Sequence, residues 1–161
     1  MYGRETGITK WVLYLGVMLQ YRLNWRSQCD RARGKALLAL RELTPLLRSA
    51  LPLKTKVLVY SAYIRPIITY ASEAWAYIAK QNMSRLQVVQ NRALRIIGDY
   101  DCDVTIQQLK EDCDIPTLKQ YIKQQARKFY SKTATNTNTL ITQLGQYDPR
   151  NTQITPKAII L

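Results

Sequence analysis

The period of the apolar positions changes along the chain. Residues 10–19 read KWVLYLGVML, a short run of aromatic and β-branched residues without helical spacing. This predicts a strand, with the polar QYRLNW that follows as the return arm of a hairpin. Gly16 inside the run marks a bulge, a close backbone approach or a relief of crowding. From about 27 to 49 the period becomes helical, with Ala36, Leu40, Leu43 and Leu47 on one face and Leu37 beside them. Arg26, Arg33, Arg41 and Arg48 fall away from that stripe. Pro52 disfavours helix at Leu51 and ends the segment. A second helix is expected over 53–79. Its apolar set is Val57, Tyr60, Ile64, Ile67, Ile68, Ala71, Trp75 and Ile78, with a kink or split at Pro66.

Ser84, with Gln87 three residues on, reads as a capping box that opens a third helix ending at Gly98. Leu86, Val89, Ala93, Ile96 and Ile97 make its buried face, and Arg85, Arg92 and Arg95 a second stripe. Thr105 and Gln108 form another capping box, for a short helix to about Glu111. Asp114 or Ile115 is expected to cap a last helix through Lys132, with Pro116 in its first turn. That helix should bury Leu118, Ile122, Ala126 and Phe129 and expose Lys119, Lys123, Arg127 and Lys128. Residues 133–161 turn polar and are read as a flexible tail. The fold class is mainly α: a short β element over 1–25, a bundle of four to five helices over 26–132, then the tail.

Composition narrows the chemistry. The chain has 161 residues, 24 Lys+Arg against 11 Asp+Glu, and a net charge of +13. It contains no histidine, which excludes Ser-His-Asp and Cys-His catalysis and any zinc site built on histidine. Its three cysteines (Cys29, Cys102, Cys113) include no Cys-x-x-Cys pair and read as reduced intracellular thiols. Cys29 lies among arginines, which can lower a thiol pKa, but on a helix face with no histidine to activate it the residue reads as inert. Asp99, Asp101 and Asp103 are spaced like the start of a calcium loop. They lack its glycine and distal glutamate, so they read as a solvated acidic turn with no metal site.

The charge is concentrated. Between Arg22 and Lys56 stand nine basic residues and two acidic ones, Asp30 and Glu42. A polyanion, most simply nucleic acid, is the implied partner. Arrayed cations on rigid helices suit phosphate contact, and Arg26, Arg33, Lys35, Arg41, Arg85, Arg92 and Arg95 are the candidates. Tyr14, Tyr21 and Trp25 beside the basic run suit stacking on sugar or base. Trp75, Tyr63, Tyr70 and Tyr77 are assigned to packing. No segment reads as a signal peptide or a membrane span, so the expected setting is intracellular, nuclear or cytoplasmic.

Four segments in order resemble one family. They are YLGVMLQYRLNW at 14–25, KTKVLVYSAYIRPIITYASEAWA at 54–76, LQVVQNRALRIIGDY at 86–100 and IPTLKQYIKQQARKFY at 115–130. Together they resemble the reverse transcriptases of non-LTR retrotransposons, particularly jockey-like elements, in the region after the palm. The resemblance implies a primer-grip-like turn at Tyr14, Leu15, Gly16 and Val17, followed by a helical thumb. The implied partners are a template–primer duplex of RNA and DNA and the palm and fingers of the same polymerase. The family's catalytic Tyr-x-Asp-Asp motif, and the magnesium such polymerases use, belong to the palm and are absent from this sequence. Gln20 stands where the family has Asp, and Gln28-Cys29 where it has a histidine and an aliphatic residue. The expected function is therefore a nucleic-acid-binding thumb fragment without catalytic residues of its own. The alternatives are a helical protein-interaction module using the apolar surface around Trp11 to Leu19, or a degenerate transposon-derived reading frame.

Overall fold

The computed structural model of the chain describes residues 10–21, 23–75, 78–101 and 103–142. The expectations placed on Arg22, Tyr77, Cys102 and the tail beyond residue 142 lie outside these. The chain opens with an antiparallel hairpin, β1 (Trp11–Tyr14) and β2 (Val17–Gln20), in which Tyr14 pairs with Val17. The hairpin turns inside the apolar run, not in the polar segment after it. Leu15 and Gly16 are the two loop residues, with φ of 45° and 80°. Positive φ at both is the type I′ geometry that matches strand twist, so Gly16 is a turn residue and not a bulge.

Helix α1 (Arg26–Leu47) follows and buries Ala32, Ala36, Leu40 and Leu47. The second helical stretch is broken in a different place from the one expected. It runs as α2 (Leu53–Val59), a π turn (Tyr60–Ile64), α3 (Arg65–Thr69) and α4 (Ser72–Trp75). Pro66 does not end the helix. It carries no N–H, and the preceding turn widens to the i→i+5 pattern instead. The break falls at Tyr70, where ψ is 125°, and Ala71, where φ is 53°. The indole N–H of Trp75 donates to the freed Tyr70 carbonyl at 2.8 Å, which holds the corner.

Helix α5 (Lys80–Gly98) begins four residues before the expected cap. Ser84 lies inside it and donates to the Lys80 carbonyl at 3.0 Å. The helix ends at Gly98 as expected, with Asp99 left-handed after it. A Cβ at position 98 would overlap the Tyr100 ring, so glycine is the residue that fits there. Helix α6 (Ile106–Cys113) is capped by Thr105, whose hydroxyl accepts the Gln108 N–H at 3.3 Å. Helix α7 (Leu118–Ala134) is capped by Thr117 through a full capping box with Gln120, not by Asp114 or Ile115. Asp114 instead terminates α6 with φ of 49°. The short α8 (Thr139–Thr142) follows.

One apolar core runs from Val17 and Trp25 through α1, the broken helix and α5 to Leu118. The apolar stripes expected on α1, the broken helix and α5 point into it, with Tyr60, Ile64, Ile68 and Trp75 fully buried, while Ala126 of α7 packs with Tyr130 in a second, smaller cluster. Two glutamines cross it. Gln90 accepts from Tyr60 Oη at 3.2 Å and donates to the Pro116 carbonyl at 2.8 Å. Gln87 accepts the Leu118 N–H at 2.9 Å and donates to Asn91 at 3.0 Å. Buried polar groups need such partners, and here they fix the start of α7 against α5. Some aromatic assignments change. Tyr63 is 66% exposed, Tyr70 lies at the surface, and α7 buries Tyr130 where Phe129 was expected. Trp25 is buried and belongs to the core rather than to a stacking surface.

Candidate nucleic-acid interface

Helices α1 and α5 pack side by side, and their outer edges enclose a groove of about 610 Å³. Arg41 of α1 and Arg48, which caps its C-terminus two turns further on, face Arg92 of α5 across it. Its floor is apolar, from Leu37, Leu38 and Ile96, and Leu38 is 53% exposed. Arg41, Arg48 and Arg92 are exposed. Arg48 lies on the arginine face seen in the sequence but was not among the candidates. Its seven-residue spacing from Arg41 was the signal for it.

The other candidates are distributed differently. Arg85 makes an ion pair of 2.8 Å with Asp30 of α1, and Arg26 approaches the same carboxylate at 4.0 Å. Arg95 donates through both terminal nitrogens to the carbonyls of Asp101 and Val104, and so anchors the acidic turn to the end of α5. The stripe Arg85, Arg92, Arg95 therefore has one member, Arg92, whose guanidinium faces the groove while the other two hold protein groups. Arg33 is half-buried next to the groove rim at Gly34. Lys35 is exposed on the neighbouring face of α1, beside the hairpin turn.

The turn itself is fixed by contacts the sequence does not reveal. Tyr70 Oη donates to the Leu15 carbonyl at 2.9 Å, and a Cβ on Gly16 would meet the Tyr70 ring at 3.3 Å. Met18 N–H donates to Gln28 Oε1 at 2.8 Å, and Ser27 N–H to Gln20 Oε1 at 3.2 Å. The positions that depart from the family pattern, Gln20 and Gln28, thus bind the hairpin to the start of α1. Tyr14 and Leu15 project into solvent, with Leu15 75% exposed, whereas Val17 points into the core.

Two further basic side chains were not among the sequence candidates. Arg65 stacks over the Tyr121 ring at 4.2 Å, a cation–π contact between the broken helix and α7. Arg31 lies near Lys35, and its Nε is buried without a hydrogen-bond partner among the described residues.

The two described thiols sit where the neutral form is favoured, as inert thiols do. Burial pushes Cys29 up to about 11, assisted by the Asp30 carboxylate and opposed by Arg85. The arginines therefore do not activate it. Cys113 is raised as well, again chiefly by burial. Tyr100 donates to Asp112 at 2.8 Å, and this hydrogen bond is the main cause that raises the phenol to about 12. Among the described residues no three metal-ligating side chains converge, and no helix is long and apolar enough to cross a membrane.

No protein-family model matches the chain, and no solved structure matches it. Curated proteins do. The chain is 30% identical over 118 residues to a probable RNA-directed DNA polymerase from transposon BS of Drosophila melanogaster. That match covers 72% of this chain and 13% of the relative. It is 25% identical over 134 residues to the RNA-directed DNA polymerase from mobile element jockey of Drosophila funebris, with 82% of this chain and 15% of the relative covered. It is 25% identical over 138 residues to the probable enzyme from transposon X-element of Drosophila melanogaster, with 84% and 15% covered. The chain spans about one seventh of the length of these relatives. This chain is thus homologous to one segment of the RNA-directed DNA polymerases of jockey-like non-LTR retrotransposons.

Proposed function

We propose that this chain is the thumb-like part of an RNA-directed DNA polymerase and grips the template–primer duplex by its phosphate backbone. The observation that carries the reading is the α1/α5 groove, where Arg41, Arg48 and Arg92 converge without a carboxylate among the described lining residues. Cations fixed on packed helices meet phosphates at little ordering cost, and the contacts are independent of sequence. Of the other α1 candidates, Arg33 lies beside the groove rim at Gly34, whereas Arg26 is drawn to Asp30 and Lys35 lies on the neighbouring face. The Tyr14–Val17 turn serves as the primer-grip element, held against α3 by Tyr70. The chain contributes binding and positioning, while metal-dependent nucleotidyl transfer belongs to other parts of such a polymerase.

The test is a salt titration of binding to an RNA–DNA hybrid. Several phosphate contacts give a steep fall of affinity with salt, about one unit of log–log slope for each contact. The double variant Arg41→Gln/Arg92→Gln should flatten that slope by about two units and weaken binding at least tenfold at moderate salt. Wild-type affinity that ignores salt, or a slope unchanged in the variant, overturns the reading.

A second reading concerns the hairpin. All four residues of β1 are exposed, and three are large and apolar besides Tyr14. An open apolar strand edge invites a partner. In a polymerase this surface would meet the palm.

A further inference from the structure

A second cleft, of about 390 Å³, lies between the hairpin turn, α1 and α3. One wall is apolar, made of Pro66, Ile67 and the Tyr70 ring. The opposite wall carries Arg31 and Lys35, one helical turn apart on the same face of α1. Among the described residues no carboxylate lines the cleft and neither cation has an ion-pair partner. Arg31 Nε is removed from solvent and has no acceptor among the described residues. The terminal guanidinium nitrogens of Arg31 likewise make no hydrogen bond or ion pair among the described residues, and they are the donors a ligand oxygen in the cleft would meet. Gln28 also lines the cleft. Its carbonyl oxygen is occupied by Met18 N–H, so its amide N–H groups remain as further donors.

We propose that this cleft binds a single nucleotide, with its phosphate on Arg31, Lys35 and the Gln28 amide and its base against Pro66, Ile67 and Tyr70. Donors without acceptors select an anion. The apolar wall, which includes the Tyr70 ring, selects an aromatic group attached to that anion. The site is separate from the α1/α5 groove, and it rests on the nucleic-acid reading only for the choice of a nucleotide among aromatic phosphates. The same chemistry is offered by a free mononucleotide and by the phosphorylated end of a strand.

The experiment is NMR titration of the whole chain with AMP, adenosine, inorganic phosphate and a short 5′-phosphorylated oligonucleotide. AMP should shift the amides of Gly16, Arg31 and Tyr70 and bind at least tenfold tighter than adenosine or phosphate alone. Arg31→Gln and, separately, the exposed Lys35→Gln should each weaken AMP at least fivefold. Lys119→Gln, on α7, should leave it unchanged. An oligonucleotide that binds tighter than AMP at the same amides assigns the ligand to a strand end, and equal affinity assigns it to the free nucleotide. Adenosine binding as well as AMP, phosphate binding as well as AMP, or no shift at these amides overturns the proposal. Hybrid binding that depends on Arg41 and Arg92 while AMP fails removes this cleft and leaves the groove. AMP binding without hybrid binding does the reverse.

Discussion

Cys29 illustrates how one residue's environment sets its chemistry. It faces the core from the first turn of α1, so its thiolate would lose hydration on folding. The neutral thiol persists to about pH 11 in the folded protein, whereas the unfolded chain releases the proton near 9.0. The stabilisation from this group is complete below the unfolded value and is lost as pH rises from about 9 to 11. Urea unfolding followed across that window should show a steep decline in stability for the wild type and a shallower one for Cys29→Ala. Equal slopes would mean that the thiol is not protected. Arg95 makes a related point. Its spacing from Arg92 suggests a shared surface, but neighbouring carbonyls claim its donors.

Among the elements, α7 is the one whose start depends most on local side-chain chemistry. Thr117 Oγ1 accepts the Gln120 N–H at 3.1 Å, and Gln120 Oε1 accepts the Thr117 N–H at 3.0 Å. Thr117→Ala removes the acceptor and should cost about 0.5–2 kcal/mol, with Thr117→Ser restoring most of it. Chemical denaturation midpoints at constant m measure this, and an unchanged midpoint in the alanine variant would show that the cap contributes nothing. Ser84 and Gln87 have the same spacing but sit inside α5, because Gln87 is engaged with α7 and the helix extends back to Lys80. A capping motif competes with helix continuation, and long-range partners decide between them. The π turn before Pro66 follows the same logic, with packing of Tyr60 and Ile64 keeping the helix going through a lost hydrogen bond.

For the whole molecule, the core joins the hairpin to the helices through Val17 and Trp25, and so folding should be one cooperative event. Leu94 is fully buried in that core. Leu94→Ala should lower stability by about 2–5 kcal/mol. It should shift circular dichroism and tryptophan fluorescence together, and separate transitions would identify an independently folding part. The same packing brings Arg92 of α5 opposite Arg41 and Arg48 of α1, and brings the hairpin turn up against Tyr70. Neither juxtaposition is a property of one segment.

The sequence by itself determined the mainly helical architecture with an N-terminal β element, the core-facing stripes, the concentration of positive charge and the relationship to jockey-like polymerases. Those properties follow from short-range periodicity, net charge and residue identity in order. Only the tertiary structure decided which arginines remain open to a ligand, where the second helix breaks, which capping boxes are used and that Trp25 is core while Tyr63 is surface. The Asp30 carboxylate that holds Arg85 and the walls of the cleft beside Gly16 come from chain distant in sequence, and the Val104 carbonyl that holds Arg95 comes from the turn beyond the end of α5. Periodicity within one helix carries no information about which of these partners will arrive.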